Sequence, residues 1–339
     1  MRTVLKRLRR SMGVGLMCGV LLYVMPLLWV QGGVGKEEAV LPPSPVPVVT
    51  APAEKESEPV WDGGREIRVL MKDGTVQTMP LSDYLWGVVA AEMPASFEPD
   101  ALRAQAVCAR TYTAWKASGG KHGEAEICAR STCCQAYTTR EDAFARWGAG
   151  AEGYANKIAA AVADTDGIIL TWEGKPIQAV FFSSSTEKTE DAAAVWGAAL
   201  PYLVSVDSPE GVEVPNYHTS VTLTAKEAKK IILAAYPEAE LSGSPRDWFS
   251  NLRYTSSGRV ESVDVGGITL SGGGARALFS LRSACFGVET GEDEVTFSVT
   301  GYGHGVGMSQ YGANAMAKTG KDWEEILLHY YTGVELGQF

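Results

Sequence analysis

Cysteine is scarce in this chain, with six among 339 residues, too few for a disulfide scaffold to hold a domain of this length. Positive charge is also in deficit. The formal charge is −10, and five of the cations (Arg2, Lys6, Arg7, Arg9 and Arg10) crowd ahead of Ser11. Without those five the remainder stands at −15, which argues against nucleic acid and anionic lipid as main partners. The composition shows no repeat array. The chain has no strand–GxxxxGK–helix context for a phosphate loop, and neither Ser309 nor His304 sits in a nucleophile elbow.

What is present begins with a charge-free run, "MGVGLMCGVLLYVMPLLWV", from Met12 to Val30. About 20 such residues suffice to cross a hydrocarbon core. The flanking cations stay in the cytoplasm, so the rest of the chain lies outside. A cleaved signal peptide is the competing reading, although the run is long and no small-residue cleavage site follows cleanly. Cys18 lies inside the run, which continues past it, so it is not read as a lipidation site. Pro42, Pro43, Pro45, Pro47, Pro52 and Pro59 then mark a semi-extended linker. The expected organisation is a cytoplasmic tail (1–11), an anchor (12–30), a linker (31–61) and one extracytoplasmic domain (62–339).

Within that domain, apolar–polar alternation surrounds Asp73-Gly74, Glu173-Gly174 and Ser257-Gly258, three hairpin signals. Helical patterns start at Ser82 and Pro99, run through "TAKEAKKIILAAY" with Thr224 and Glu227 spaced as a capping box, and recur near Gly272, after Ser309 and in "DWEEILLHYYTG". Hairpins interspersed with helices imply an α+β fold, expected here as a single two-lobed domain with a substrate cleft.

The stretch "LSDYLWGVVAAEMPASF" places one acid, Glu92, at the end of an apolar run. Ser82 suits the helix N-cap and Asp83 the positive end. Steps of three and four from Leu85 reach Val88, Val89 and Glu92 on one face. Pro94 ends the helix at Glu92. Desolvation and the negative helix end both raise a carboxyl pKa there, which suits a general acid. The alternative is a solvated or ion-paired Glu, neutralised by Arg103 or Arg110. On the next helix, Gln105 and Arg110 are polar exceptions among alanines, either structural or able to grip a sugar.

"KHGEAEICARSTCCQAY" sets His122, Cys128, Cys133 and Cys134 within thirteen residues. Such a set suits tetrahedral zinc in a closed, structural site. A disulfide from Cys128 to Cys133 or Cys134 is the other reading. No organic cofactor is expected.

Several stretches together resemble one family. "YLWGVVAAEMPASF", "LRAQAVCARTYTAW", "CCQAY", "TEDAAAVWG", "PYLVSV" and "GYGHGVGMSQYGANAMA" are similar to the sporulation stage II protein D family, which also includes amidase enhancers. The resemblance implies a membrane-anchored lytic transglycosylase of peptidoglycan, acting in forespore engulfment, with Glu92 as its acid. It also implies a preference for glycan strands stripped of stem peptides, and an amidase and a membrane scaffold as partners. The runner-up is a non-catalytic wall-binding enhancer of an N-acetylmuramoyl-L-alanine amidase. Some relatives bind zinc through His and Cys, with His where this chain has Cys133.

Further candidates follow the resemblance. Thr189, Glu190, Tyr202, His304, Ser309 and Gln310 are expected to line the sugar site with Gln105 and Arg110, and Trp196 and Tyr202 to stack on rings. His304 can instead be a packed turn residue. Glu190 or Asp191 as a second acid would favour hydrolysis over transglycosylation. Glu187, Lys188 and Val204 depart from the pattern of relatives.

Overall fold

The computed structural model describes residues 62–119 and 122–339. The expected tail, anchor and linker lie outside these residues. Among the described residues no helix is long and apolar enough to cross a membrane.

The first hairpin forms where its turn chemistry indicates. Strands β1 (Glu66–Leu70) and β2 (Val76–Pro80) pair antiparallel, and Gly74 takes the left-handed φ of +90° that glycine accepts without a steric penalty. Helix α1 (Leu81–Glu92) follows with no intervening loop, and Pro80 is its N-cap. Ser82 therefore sits inside the first turn rather than capping it, because β2 runs directly into the helix through Pro80. Helix α2 (Pro99–Ala117) begins on its proline, as expected. Ala101, Ala104, Ala106 and Ala109 are all fully buried along it, which lets neighbouring helices approach closely.

Strand β3 (Ile127–Cys128) adds parallel to the other edge of β1. Two helices that the pattern did not mark come next, α3 (Arg140–Trp147) and α4 (Ala151–Asp164). Strands β4 (Ile168–Trp172) and β5 (Lys175–Pro176) form the second hairpin around Glu173-Gly174. It stops after two pairs, since Pro176 has no N–H to extend the ladder. The C-terminal strand Glu335–Gln338 covers the far edge of β4. Strand β6 (Phe181–Phe182) and the short α5 (Ala192–Trp196) complete this stretch.

Residues 218–300 then build a second hydrophobic core. They comprise β7 (His218–Thr224), α6 (Ala225–Ala235), β8 (Phe249–Tyr254), β9 (Val260–Val265), β10 (Ile268–Ser271), α7 (Gly272–Leu278), β11 (Phe286–Thr290) and β12 (Glu294–Thr300). The capping box at Thr224 and Glu227 forms as the sequence indicates. Ile232, Trp248, Val263, Phe279 and Phe297 are among the residues packed at its centre. β12 pairs with β7 so that His218 lies opposite Thr300, and Gly301 N–H donates to Tyr217 O at 2.8 Å. The excursion thus leaves and rejoins the chain at adjacent points.

After it, β13 (Met308–Ser309) pairs parallel to β6, and α8 (Gln310–Lys318) and α9 (Trp323–Tyr330) return to the first core. The described chain is a mixed α/β fold with five sheets of two or three strands each.

Candidate active site

Glu92 is the last residue of α1. Leu85, Val88 and Val89 on its face are fully buried, and Met93 turns to extended backbone (φ −120°, ψ 140°) ahead of Pro94. The carboxyl is half-buried. Its Oε1 accepts the Ala136 N–H at 2.5 Å, while Oε2 has no hydrogen-bond partner among the described residues. Burial pushes the carboxyl above its ordinary 4.5, outweighing the opposing pull of the Ala136 N–H. Among the described residues no cation forms an ion pair with it. Arg103 pairs with Asp164 at 2.6 Å and with Asp100 at 3.0 Å. Arg110 pairs with Asp62.

The loop that supplies Ala136 is fixed at several points. Gln135 Nε2 donates to Thr113 Oγ1 at 3.2 Å, holding it to α2. Thr138 N–H donates to Gly87 O at 3.2 Å, holding it to α1. A Cβ at Gly87 would lie 2.4 Å from the Tyr137 ring, so only glycine lets the loop cross α1 this closely. Just upstream, the ligand atoms of His122, Cys128, Cys133 and Cys134 all lie within 4.8 Å of one another. His122 Nε2 is 3.2 Å from Cys134 Sγ. The N–H groups of Cys133 and Cys134 both donate to Arg130 O, a tight turn that brings adjacent thiols to one side. These cysteines are free thiols, so no disulfide closes the loop. Zn–S bonds of about 2.3 Å need ligand atoms about 3.8 Å apart in a tetrahedron, which small side-chain rotations reach from here.

The structure brings few of the other candidates to Glu92. Arg110 is fully buried and grips Asp62 at 2.6–3.0 Å, with further bonds to Val162 O and Ile168 O. That guanidinium is committed to the interior and is not available to a sugar. Gln105 is fully buried and its Oε1 accepts from Gln310 Nε2 at 3.2 Å, tying α2 to α8. Thr189 Oγ1 accepts the Val206 N–H at 2.9 Å within the core. Glu190 is 2% exposed. Its Oε2 takes the hydroxyls of Thr255 and Ser257, and Oε1 takes the Asp191 N–H. Asp191 caps α5. Tyr202 packs against Trp172 in the core. Ser309 caps α8, as expected, and donates to Glu210. In each case an internal partner takes the polar group, so these residues brace the frame. Tyr311 is half-buried and meets Phe97 edge-on at 4.9 Å, in the loop that follows Glu92.

His304 proves to be a packed turn residue. Its ring lies 5.6 Å from both Phe182 and Trp196. Nε2 donates to Phe181 O, and Nδ1 accepts the Val306 N–H. Burial, aided by Arg276, pushes it down to about 4. The unfolded chain takes up this proton first, so the neutral ring's contribution is complete above 6.5 and is lost as pH falls toward about 4. We expect a loss of about 3 kcal/mol over that window. Urea unfolding as a function of pH checks it: the acid-side slope should flatten in His304→Gln, and an unchanged slope rejects the assignment.

The glycines around His304 answer a question of approach. A Cβ at Gly307 would lie 2.1 Å from Val180 O, and one at Gly305 would lie 2.5 Å from Arg259 Cζ. The close neighbours are thus the backbone just ahead of β6 and a buried arginine.

Sequence reasoning missed Ala136, Asp62 and Glu210. Ala136 acts through a backbone N–H that carries no sequence signal. Asp62 stands at the edge of the linker, and Glu210 lies in an unpatterned loop.

These features describe a mixed α/β protein in which the half-buried Glu92 carboxyl, without an ion-pair partner among the described residues, meets a loop that gathers one histidine and three cysteines. A family model described as "Stage II sporulation protein" matches residues 71–172, the span holding Glu92, the loop and Ala136. Stage II sporulation protein D of Bacillus subtilis (strain 168) is 36% identical over 330 residues, covering 96% of this chain and 94% of that protein. The protein of the same name from Bacillus amyloliquefaciens is 38% identical over 270 residues, covering 78% and 76%. An amidase enhancer of Bacillus subtilis (strain 168) is 27% identical over 304 residues, covering 75% of this chain and 40% of its own length. The chain belongs to the stage II sporulation protein D family.

Proposed function

We propose that this protein is a lytic transglycosylase that cleaves the bond between N-acetylmuramic acid and N-acetylglucosamine in peptidoglycan during sporulation. The observation that carries the reading is Glu92: half-buried, without an ion-pair partner among the described residues, with one oxygen fixed by Ala136 and the other without a hydrogen bond there. Burial shifts it toward the protonated form that donation to the glycosidic oxygen requires. After the sugar leaves, the carboxylate takes the proton of the muramic 6-hydroxyl, which closes on C1 to give a 1,6-anhydro end. One acid performs both transfers, and no second carboxylate is needed. Glu190 and Asp191 support this economy, since both oxygens of Glu190 are occupied internally and Asp191 is engaged through Oδ1 in capping α5. The test is mass spectrometry of glycan strands, stripped of stem peptides, after incubation with the protein; reducing ends without the anhydro mass would indicate hydrolysis instead.

The localisation that fits is an anchor in the cell membrane, with the N-terminus cytoplasmic and the catalytic domain outside. An amidase that strips the strands and a membrane scaffold would be its partners. A 27%-identical amidase enhancer favours a second reading, a wall-binding protein that stimulates an amidase without cutting; it predicts no anhydro ends at all.

His122, Cys128, Cys133 and Cys134 would hold zinc. When bound, the ion supplies a closed structural clamp with no open position for water. The loop it closes carries Ala136 onto Glu92. We therefore expect one zinc per chain by elemental analysis. Cys128→Ser should lower both the metal content and the cleavage rate, the latter by about tenfold, the worth of one lost charge-assisted orienting bond. Full activity in a metal-free protein would remove the loop from the mechanism.

A further inference from the structure

Away from Glu92, positive charge without a counter-ion gathers at one place. Helix α7 and the turn after it bring Arg276, Ser280 and Arg282 around a pocket of about 380 Å³, which Tyr302 from the glycine-rich segment also lines. Arg282 lies over the Tyr302 ring, with Cζ 4.0 Å from its centre, and its buried Nε has no partner. Arg276 Nε donates to Leu281 O at 3.3 Å. Among the described residues neither arginine pairs with a carboxylate. Arg259, 2% exposed and without a hydrogen bond, lies within reach of Arg276 as a like charge, but Glu190 and Glu210 act on it as opposite charges, so the uncompensated pair is Arg276 and Arg282.

In a domain of strong net negative charge, such a cluster is unfavourable until an anion enters it. The planar fork of arginine matches a carboxylate better than a point cation does. Tyr302 is 44% exposed and offers a ring to the apolar face of a sugar. A chain of contacts also links this pocket to the acid. Tyr302 exchanges backbone hydrogen bonds with Ser184, Ser183 O accepts the Tyr311 N–H, and Tyr311 packs on Phe97 in the loop after Glu92.

From this constellation we infer that Arg276, Arg282 and Tyr302 form a subsite for a carboxylate-bearing amino sugar of the glycan strand. The inference rests on the reading that wall glycan is the ligand, but not on cleavage of that glycan. Its function is to set the register of the strand by gripping an acidic sugar at a distance from the scissile bond.

Binding by the full-length chain carrying Glu92→Gln, which stops turnover, tests it. The probes are a tetrasaccharide of alternating N-acetylglucosamine and N-acetylmuramic acid, a neutral chitin tetrasaccharide of equal length, and poly(glycerol phosphate). The acidic tetrasaccharide should bind about tenfold more tightly than the neutral one, the worth of one charge-assisted contact. Adding Arg276→Gln and Arg282→Gln together should erase that preference while leaving the neutral affinity in place. Should that variant fail to fold, high salt applied to the parent should erase the preference instead. Equal binding of the two tetrasaccharides, or a preference that survives both substitutions, overturns the subsite. Tighter binding of poly(glycerol phosphate) than of the acidic tetrasaccharide overturns the carboxylate assignment in favour of phosphate. A separate failure, absence of 1,6-anhydro ends in the cleavage assay, strikes the enzymatic reading and leaves this contrast standing.

Discussion

Glu92→Gln should abolish formation of 1,6-anhydro ends, with a rate loss on the order of 10²–10⁴-fold, the usual share of a positioned general acid. The amide oxygen can still accept the Ala136 N–H, so the loop and the fold should be unchanged by circular dichroism. Stability gives the change an independent signature. Burial raises the Glu92 pKa above 4.5, so its favourable contribution is present at low pH and is lost as pH rises through the folded-state value. A neutral amide escapes that loss. The variant should therefore gain melting temperature over the parent on the alkaline side of 4.5 and show no gain in acid. Retained turnover, or a stability difference independent of pH, would overturn the role assigned to this side chain.

Asp62→Ala should produce the largest destabilisation, about 3–5 kcal/mol, because it strands the Arg110 guanidinium inside the protein. Both side chains are almost fully enclosed, at 3% and 0% exposure, and 2.6 Å apart. Replacing both, as Asp62→Leu with Arg110→Met, removes the buried charges together and should recover most of the loss. Urea unfolding of the two single variants and the double variant reads this directly. Simple additivity would show that the pair does not act as a unit. The same series separates structure from chemistry: if Arg110 gripped substrate, the folded double variant would lose cleavage as well.

Much of the fold was legible because its signals are local. The turns at Gly74 and Gly174, the capping box at Thr224 and Pro99 at the start of α2 each act through a few neighbouring residues. Helices α3 and α4 were missed because their apolar residues are mostly alanine, which gives little contrast with the polar face. Glu92 was found because an acid on an apolar face is conspicuous, and the His/Cys cluster because its ligands are close in sequence. The sugar-site candidates fared differently. Gln105, Arg110, Thr189 and Glu190 carry the groups that bind saccharides, yet the same groups fasten one element to another. A linear chain does not say which partner a polar side chain will meet. The unpaired arginines near Tyr302 drew no notice for the same reason, since Arg259, Arg276 and Arg282 converge only after folding.

The segment containing the second core enters and exits across a single rung of backbone pairing, His218 opposite Thr300. Such a seam is a natural splice junction. A lineage can lengthen or trim the exposed loops between those two positions while this pairing, and the hydroxyls of Thr255 and Ser257 on Glu190, keep the segment fastened to the rest of the protein. Outer surfaces can therefore diverge while the half-buried carboxyl of Glu92 and the loop that meets it stay unaltered.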